Sequence, residues 1–316
     1  MQIIEDINNI PEIKNAIVTS GTFDGVHFGH KKILKRVVAI ANKEKGKSVV
    51  LTFWPHPRFI LFPDQTDLKL LSTFEEKAEL LEKIGVDYLI KIEFTAEFSQ
   101  LSSEQFIGEV IVEKLNTKKL IIGYDHKFGK NREGSFEYLK ENCQRFGFEV
   151  EEIPGQDIED VAVSSTKIRR ALESGNVPLA ACFLERKYTL EGEVVAGNKL
   201  GSQLGFPTAN IDVAEKSKLI PKDGVYVVRV KVMGKSWGGM LNIGARPTIN
   251  DAGRSVEVHI FGLQEEIYGH SIKVLFLERI RDESKFETLE DLRQQLERDK
   301  IVSQNLLSKI ETNEKV

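Results

Sequence analysis

The hydrophobic spacing of this chain changes period near residue 185, and no single fold class accommodates both halves. Before that point strand-like and helix-like segments alternate. Strands are expected at 16–19 (AIVT), 48–53 (SVVLTF), 88–92, 120–122 and 149–153. Between them, 30–44 places Ile33, Leu34, Val37, Val38, Ile40 and Ala41 at helical spacing. A second helix is expected over 73–84, with Ser72 as its cap and Glu75 and Glu76 behind it, and a third over 103–115. This alternation predicts a parallel sheet covered by helices. After residue 185 the period becomes two. Segments 189–195, 224–233, 236–243, 255–260 and 271–280 read as strands separated by glycine-rich turns, and 289–307 as a charged amphipathic helix. Short strands at such spacing predict a small barrel or sandwich. The boundary falls between the helix ending near Gly175 and Tyr188, which gives domains 1–183 and 184–316, and 316 residues suit two domains.

Bulk properties exclude several classes. The formal net charge is -4, which argues against a protein built to coat nucleic acid. The two cysteines, Cys143 and Cys182, are distant and lack metal-ligand spacing, so free thiols are expected. The first residues (MQIIEDINNIPEIKN) lack a basic-then-apolar signal pattern, and no apolar run approaches the ~20 residues that span a bilayer. The expectation is a cytoplasmic protein with no membrane partner.

Chemistry concentrates at strand ends. Residues 21–30 read GTFDGVHFGH, between an expected strand and an expected helix. Glycine allows close backbone approach to a ligand, and the following helix presents unpaired N–H groups to an anion. The stretch is neither a dinucleotide fingerprint nor a Walker A loop. Three more clusters share this placement. LTFWPHP (51–57) sets His56 between two prolines. IGYDHKFGKNREG (122–134) carries Asp125, Lys127, Lys130 and Arg132, a set suited to ribose hydroxyls and phosphates. VSSTKIR (163–169) puts hydroxyls ahead of a helix with Lys and Arg behind them. Singly, each also reads as a turn or a cap; four together at element ends read as a ligand site.

These residues resemble the FMN adenylyltransferase module of bacterial FAD synthetases, within the nucleotidyltransferase superfamily. The resemblance rests on His-x-Gly-His at 27–30, G-x-D-x-x-F-G at 123–129 and SSTKIR at 164–169. It implies a nucleotidyltransferase-like α/β domain in which the FMN phosphate attacks the α-phosphorus of ATP in line and pyrophosphate leaves. It further implies that His27 and His30 hold the triphosphate, that Ser165, Thr166 and Arg169 bind the departing phosphates, and that Gly21, Phe23, Asp24, Gly25, Gly123, Asp125 and Arg132 surround ATP. His56 is implied as a flavin contact. His126 stands where relatives commonly carry an aromatic.

The second half has its own constellation. In LGFPTAN (204–210), Pro207 fixes the backbone, while Thr208 and Asn210 fall on one side of an extended segment and offer hard oxygen ligands. In VEVH (256–259), Glu257 shares a strand face with His259 and has the chemistry of a general base; a solvated strand face is the alternative. LGFPTAN, GVY at 224–226, NIGARPT at 242–248, VEVHIF at 256–261, YG at 268–269 and R-x-E-x-K-F at 281–286 resemble the riboflavin kinase module, in its order. The resemblance implies a small six-stranded barrel followed by a helix. Thr208 and Asn210 would bind Mg²⁺ and ATP phosphate, with Gly197, Lys199, Gly205 and Pro207 around the nucleotide. Glu257 would take the proton from the ribityl 5′-hydroxyl, and Arg281 and Thr288 would contact flavin. Ser202 stands where a basic residue usually follows the second glycine, and Gly262-Leu263-Gln264 replaces the usual acidic pair.

The expected function is therefore two-step FAD synthesis: riboflavin and ATP to FMN, then FMN and ATP to FAD and pyrophosphate, both with Mg²⁺. A flavin- or nucleotide-binding regulator with one degenerate site is the alternative from another class, and consumption of ATP separates the two. A nucleotidyltransferase for another substrate explains His-x-Gly-His but not LGFPTAN or Glu257.

Overall fold

Six parallel strands build the first half. The computed structural model describes residues 1–64, 67–124, 126–154, 163–197, 200–245 and 254–313. The chain divides into two units, Met1–Ser165 and Thr166–Val316.

In the first unit β1 (Gln2–Ile4), β2 (Ala16–Ser20), β3 (Lys47–Trp54), β4 (Tyr88–Glu93), β5 (Thr117–Gly123) and β6 (Glu149–Ile153) pair in the order β1-β4-β3-β2-β5-β6, all parallel. Helices cover both faces, so the central strands are apolar on both sides. Val18, Leu51 and Ile90 pack with Phe106, Ile107 and Leu139 on one face. Val50 and Leu89 pack with Leu34, Phe74 and Leu81 on the other, where Ile17 meets Val37 and Ile40. The covering helices include α1 (Phe28–Lys43), α2 (Phe74–Ile84) and α3 (Phe136–Phe146). Ser103–Gln105 opens a further helical segment that continues with π-helical turns over Phe106–Lys114.

Two expectations change here. The three-residue edge strand β1 is too short to show a period. The cap of α2 is Thr73, which forms a capping box with Glu76, and not Ser72. Ser72 is engaged elsewhere: its N–H donates to Asp24 and its hydroxyl accepts from the Gly25 N–H. The strand order reverses on either side of β2, whose neighbours are β3 and β5. Loops leaving the carboxyl ends of β2 and β5 therefore border the crevice where open parallel sheets bind ligands.

α4 (Ser165–Glu173) starts at the last residue of the first unit and runs into the second, where it and α5 (Val177–Leu184) precede a closed antiparallel barrel. Its strands are β7 (Thr189–Val195), β8 (Ala209–Asp212), β9 (Gly224–Val232), β10 (Lys235–Ala245), β11 (Arg254–Ile260) and β12 (Ser271–Arg281), in the order β10-β11-β8-β7-β12-β9. The sixth strand, β8, has only four residues and escaped the periodicity. The last helix, α6 (Leu289–Asn313), packs Leu307 against Val227 and Leu277 of the barrel.

Candidate active sites

In the first unit the chain leaves buried β2 through a strained turn. Phe23, Gly25 and Val26 all have positive φ (46°, 81° and 40°). Glycine takes this conformation freely; Phe and Val do so at a cost of about 1–3 kcal/mol each. Anchors from neighbouring segments hold the shape. The Asp24 carboxylate accepts from the N–H groups of Leu71 (2.9 Å) and Ser72 (3.1 Å). The Gly25 N–H donates to the Ser72 hydroxyl at 3.1 Å, the Thr52 hydroxyl donates to the Thr22 carbonyl at 3.4 Å, and the Ser165 hydroxyl donates to the Asp24 carbonyl at 3.1 Å. Gly21 joins its N–H to the Leu51 carbonyl at 3.0 Å. Asp24, 3% exposed, thus serves as a clamp of the loop.

That clamp sets two histidines at the start of α1. His27 caps the helix: its Nδ1 accepts from the His30 N–H at 3.4 Å, so the neutral ring carries its proton on Nε2. The His30 ring stacks on His27 (centroids 3.6 Å apart) and meets the Phe23 ring edge-on at 5.3 Å. Burial, the His27 ring and the Lys77 ammonium hold the His30 pKa well below its ordinary value. His30 is therefore neutral near pH 7 and offers one N–H. Its Nδ1 is buried with no hydrogen-bond partner among the described residues. The first turn of α1 contains no acidic side chain, which leaves its positive dipole end uncancelled.

Gly123 ends β5 beside this loop. His126 follows, its Nε2 3.2 Å from the Ser20 hydroxyl and its ring stacked near Phe128. Arg132 is exposed on a turn at positive φ (60°). Asp125 lies outside the described residues. His56 caps the short helix Pro57–Leu61, accepting from the Arg58 N–H at 3.2 Å. Thr166 and Arg169 lie on α4 in the second unit, Thr166 exposed and Arg169 half-buried.

Sequence reasoning missed one group in this region. Lys77 of α2 is buried (2% exposed). Its ammonium donates to the Thr52 hydroxyl at 3.0 Å and lies 5.3 Å from the Trp54 ring centroid. The sequence signal was present: Phe74, Lys77, Ala78 and Leu81 form one i, i+3, i+4, i+7 stripe, and the lysine interrupts an otherwise apolar face.

In the second unit, strand register assembles the site. Glu257 of β11 is paired with Asn242 of β10 and with Asn210 of β8. Directly opposed residues share a sheet face, so Asn242 and Asn210 lie on the face of Glu257, one on each side. Thr208, just before β8, donates its hydroxyl to Glu257 Oε2 at 3.4 Å. His259 holds this segment in place. Its Nδ1 donates to the Pro207 carbonyl at 2.8 Å, between the edges of Phe206 and Phe261, and burial keeps its pKa below the ordinary value. Gly197 leaves room for Asn210: a Cβ there would lie 1.9 Å from Asn210 Nδ2, so any larger residue displaces that amide. Gly205 takes a positive φ of 83°. Lys199 lies outside the described residues.

Two expected flavin contacts sit apart from this cluster. Arg281 is on β12, three strands from β11 in either direction round the barrel. Its guanidinium pairs with Asp299 of α6 through Nε (3.1 Å) and Nη2 (2.7 Å). Thr288 caps α6, accepting from the Asp291 N–H at 3.1 Å. Asn242 is the member that sequence reasoning did not single out; only strand pairing shows it beside Glu257.

Comparisons with known proteins fall on the same division. The FAD synthetase family matches residues 9–167, and the Riboflavin kinase family matches residues 184–307. A bifunctional riboflavin kinase/FMN adenylyltransferase of Listeria monocytogenes is 38% identical over 298 residues, covering 94% of each chain. The protein of that description from Haemophilus influenzae is 37% identical over 301 residues, covering 95% of this chain and 97% of its own. A Streptococcus pneumoniae crystal structure, described as a macrolide-efflux protein, superposes with a TM-score of 0.86 at 32% identity, over 96% of this chain and 98% of that one.

Proposed function

Because the chain belongs to the family of bifunctional riboflavin kinase/FMN adenylyltransferases, we propose that its two side-chain constellations are the two active sites of FAD synthesis. The enzyme phosphorylates riboflavin to FMN with its C-terminal domain and adenylylates FMN to FAD with its N-terminal domain. We place the functional boundary at 183/184; the start of the riboflavin kinase match at residue 184 supports it.

In adenylyl transfer a phosphate oxygen of FMN attacks the α-phosphorus of ATP, the bond to the bridging oxygen breaks, and pyrophosphate leaves with the charge. No covalent enzyme intermediate is needed, so catalysis is positioning and charge stabilisation. The Nε2–H of His27, the free N–H of neutral His30 and the N-terminal amides of α1 donate to the triphosphate. Ser165, Thr166 and Arg169 hold the departing phosphates, with Gly21, Phe23, Gly123, Asp125 and Arg132 around the nucleotide and His56 toward the flavin. Asp24 acts through the loop that it clamps.

In the kinase reaction Glu257 accepts the proton of the ribityl 5′-hydroxyl as that oxygen attacks the γ-phosphorus of ATP and ADP leaves. Its hydrogen bond from Thr208 orients the carboxylate, and Asn210 and Asn242 stand opposite it in strand register. Thr208 and Asn210 present a hydroxyl and an amide oxygen beside one carboxylate, a donor set that fits Mg²⁺, which keeps several waters and binds with substrate phosphates. Bound there, Mg²⁺ would neutralise phosphate charge. Gly197, Lys199, Gly205 and Pro207 shape the nucleotide side, and Arg281 and Thr288 support the flavin side through α6. We place the enzyme in the cytoplasm; among the described residues no helix is long and apolar enough to cross a membrane.

The observation that carries the two-site reading is that the His27–His30 stack and the Thr208–Glu257 pair lie in different units of one chain. Glu257→Gln abolishes FMN formation and leaves FAD formation from supplied FMN intact; His30→Ala does the reverse. Loss of both activities by either change, in a folded protein, contradicts the reading.

A further inference from the structure

A buried cation beneath the 21–30 loop has no structural need to be charged. Lys77 Nζ reaches one hydroxyl, that of Thr52, and the face of Trp54. Burying an ammonium is costly unless it is paired, and an apolar side chain of equal volume would fill this stripe of α2 without that cost. The groups that bear on the ammonium come from three elements. The loop contributes the Asp24 carboxylate, which favours its charge while accepting from Leu71 and Ser72. From α1 comes His30, whose protonation the ammonium disfavours. β3 contributes Thr52 and Trp54, which are uncharged.

The hydrogen bonds run in one direction. Lys77 donates to Thr52, and Thr52 in turn donates to the Thr22 carbonyl. Because Lys77 can only donate, the Thr52 hydroxyl proton is free to point at Thr22. The chain therefore ends on the strained turn that carries Phe23 and Val26 at positive φ.

We propose that Lys77 is a positioning residue for adenylyl transfer: through Thr52 it holds the 21–30 loop in the strained shape that sets His27 and His30 at the start of α1. The inference rests on the adenylyltransferase reading of His27 and His30. It assigns to α2 a part in a site that otherwise belongs to strand ends and α1.

The test is steady-state FAD formation from FMN and ATP by the full-length chain between pH 6.5 and 9.5, with FMN formation from riboflavin followed in the same preparations. Lys77→Met lowers kcat/KM for ATP by about a hundredfold, the scale of removing one preorganised electrostatic group, and leaves FMN formation unchanged. Thr52→Val keeps the volume, removes the relay hydroxyl and lowers kcat/KM about tenfold, the scale of one net hydrogen bond. In the wild type kcat/KM falls above about pH 8, where the buried ammonium loses its proton. Lys77→Arg stays charged, keeps activity within tenfold at pH 7 and lacks that alkaline limb.

Wild-type kcat/KM in both Lys77→Met and Thr52→Val overturns the inference, as does an alkaline limb that persists in Lys77→Arg. So do losses that track only the fraction of each variant that is unfolded in a thermal melt. If His30→Ala also leaves FAD formation unchanged, the reading of the site itself is wrong. If His30→Ala is inactive while Lys77→Met and Thr52→Val are normal, only the role of Lys77 fails.

Discussion

Burial lowers the Lys77 pKa from 10.5 to about 8. The unfolded chain therefore binds more protons than the folded one between those values, and stability rises with pH across that window. Below pH 8 the penalty is present in full, about 3 kcal/mol at 1.36 kcal/mol per pKa unit. Lys77→Met accordingly stabilises the first unit at pH 7 by up to that amount, and its advantage shrinks to about half by pH 9.5. Urea unfolding followed at Trp54, at both pH values, measures this; an advantage that does not change with pH contradicts it. A residue that lowers stability while serving a site is the expected exchange between activity and stability. The candidate residues His27, His30, Thr208, Asn210 and Glu257 were legible as proposals in the sequence because their chemistry is local to a motif. Lys77 and Asn242 were not, because their meaning comes from partners far along the chain: Thr52 is 25 residues from Lys77, and Glu257 meets Asn242 only through β10–β11 pairing. Arg281 shows the converse. Its motif marks it for flavin, while its guanidinium is engaged by Asp299, whose side chain is 2% exposed.

At the scale of elements, period and length decided what could be read. β2 to β5 are strands of five to eight residues with apolar runs, β6 is an edge strand with only Val150 and Ile153 among glutamates, and each was visible. β1 and β8, with three and four residues, are too short to establish a period and owe their conformation to neighbouring strands. That matters for function because β8 carries Asn210 into register with Glu257. Close approach of the 197 region to β8 makes this placement sensitive to a single methyl group. Gly197→Ala puts a Cβ against the Asn210 amide, which must move. The expected result is at least a tenfold loss of kcat/KM for riboflavin phosphorylation with FAD formation from FMN unchanged, the scale on which small displacements of a positioned group act. Equal loss of both reactions, or of neither, contradicts the assignment of β8. The cap of α2 shows how tertiary structure overrides a local signal. Ser72 and Thr73 are both good caps by chemistry, and the demand of Asp24 and Gly25 for Ser72 leaves the capping box to Thr73.

Across the whole molecule, the change of period near residue 185 separates an open parallel sheet from a closed antiparallel barrel. The two architectures build phosphate chemistry differently. On the proposed assignment the sheet uses loops at its switch point and the N-terminus of α1, so its site is made of donors and suits a reaction in which charge moves onto a leaving pyrophosphate. On the same assignment the barrel uses side chains on adjacent strands, so its site would hold a carboxylate in fixed register beside oxygen ligands and suit deprotonation of a hydroxyl. One chain thereby joins the step that makes FMN to the step that consumes it. The most direct test of that claim is a time course of the purified chain with riboflavin, ATP and Mg²⁺, with flavins and nucleotides separated at each point. FMN should appear first and FAD after it, with one ADP released for each riboflavin phosphorylated and one pyrophosphate for each FAD formed. Flavin retained on the protein with no ATP consumed, or FMN that accumulates without any FAD, would contradict the account.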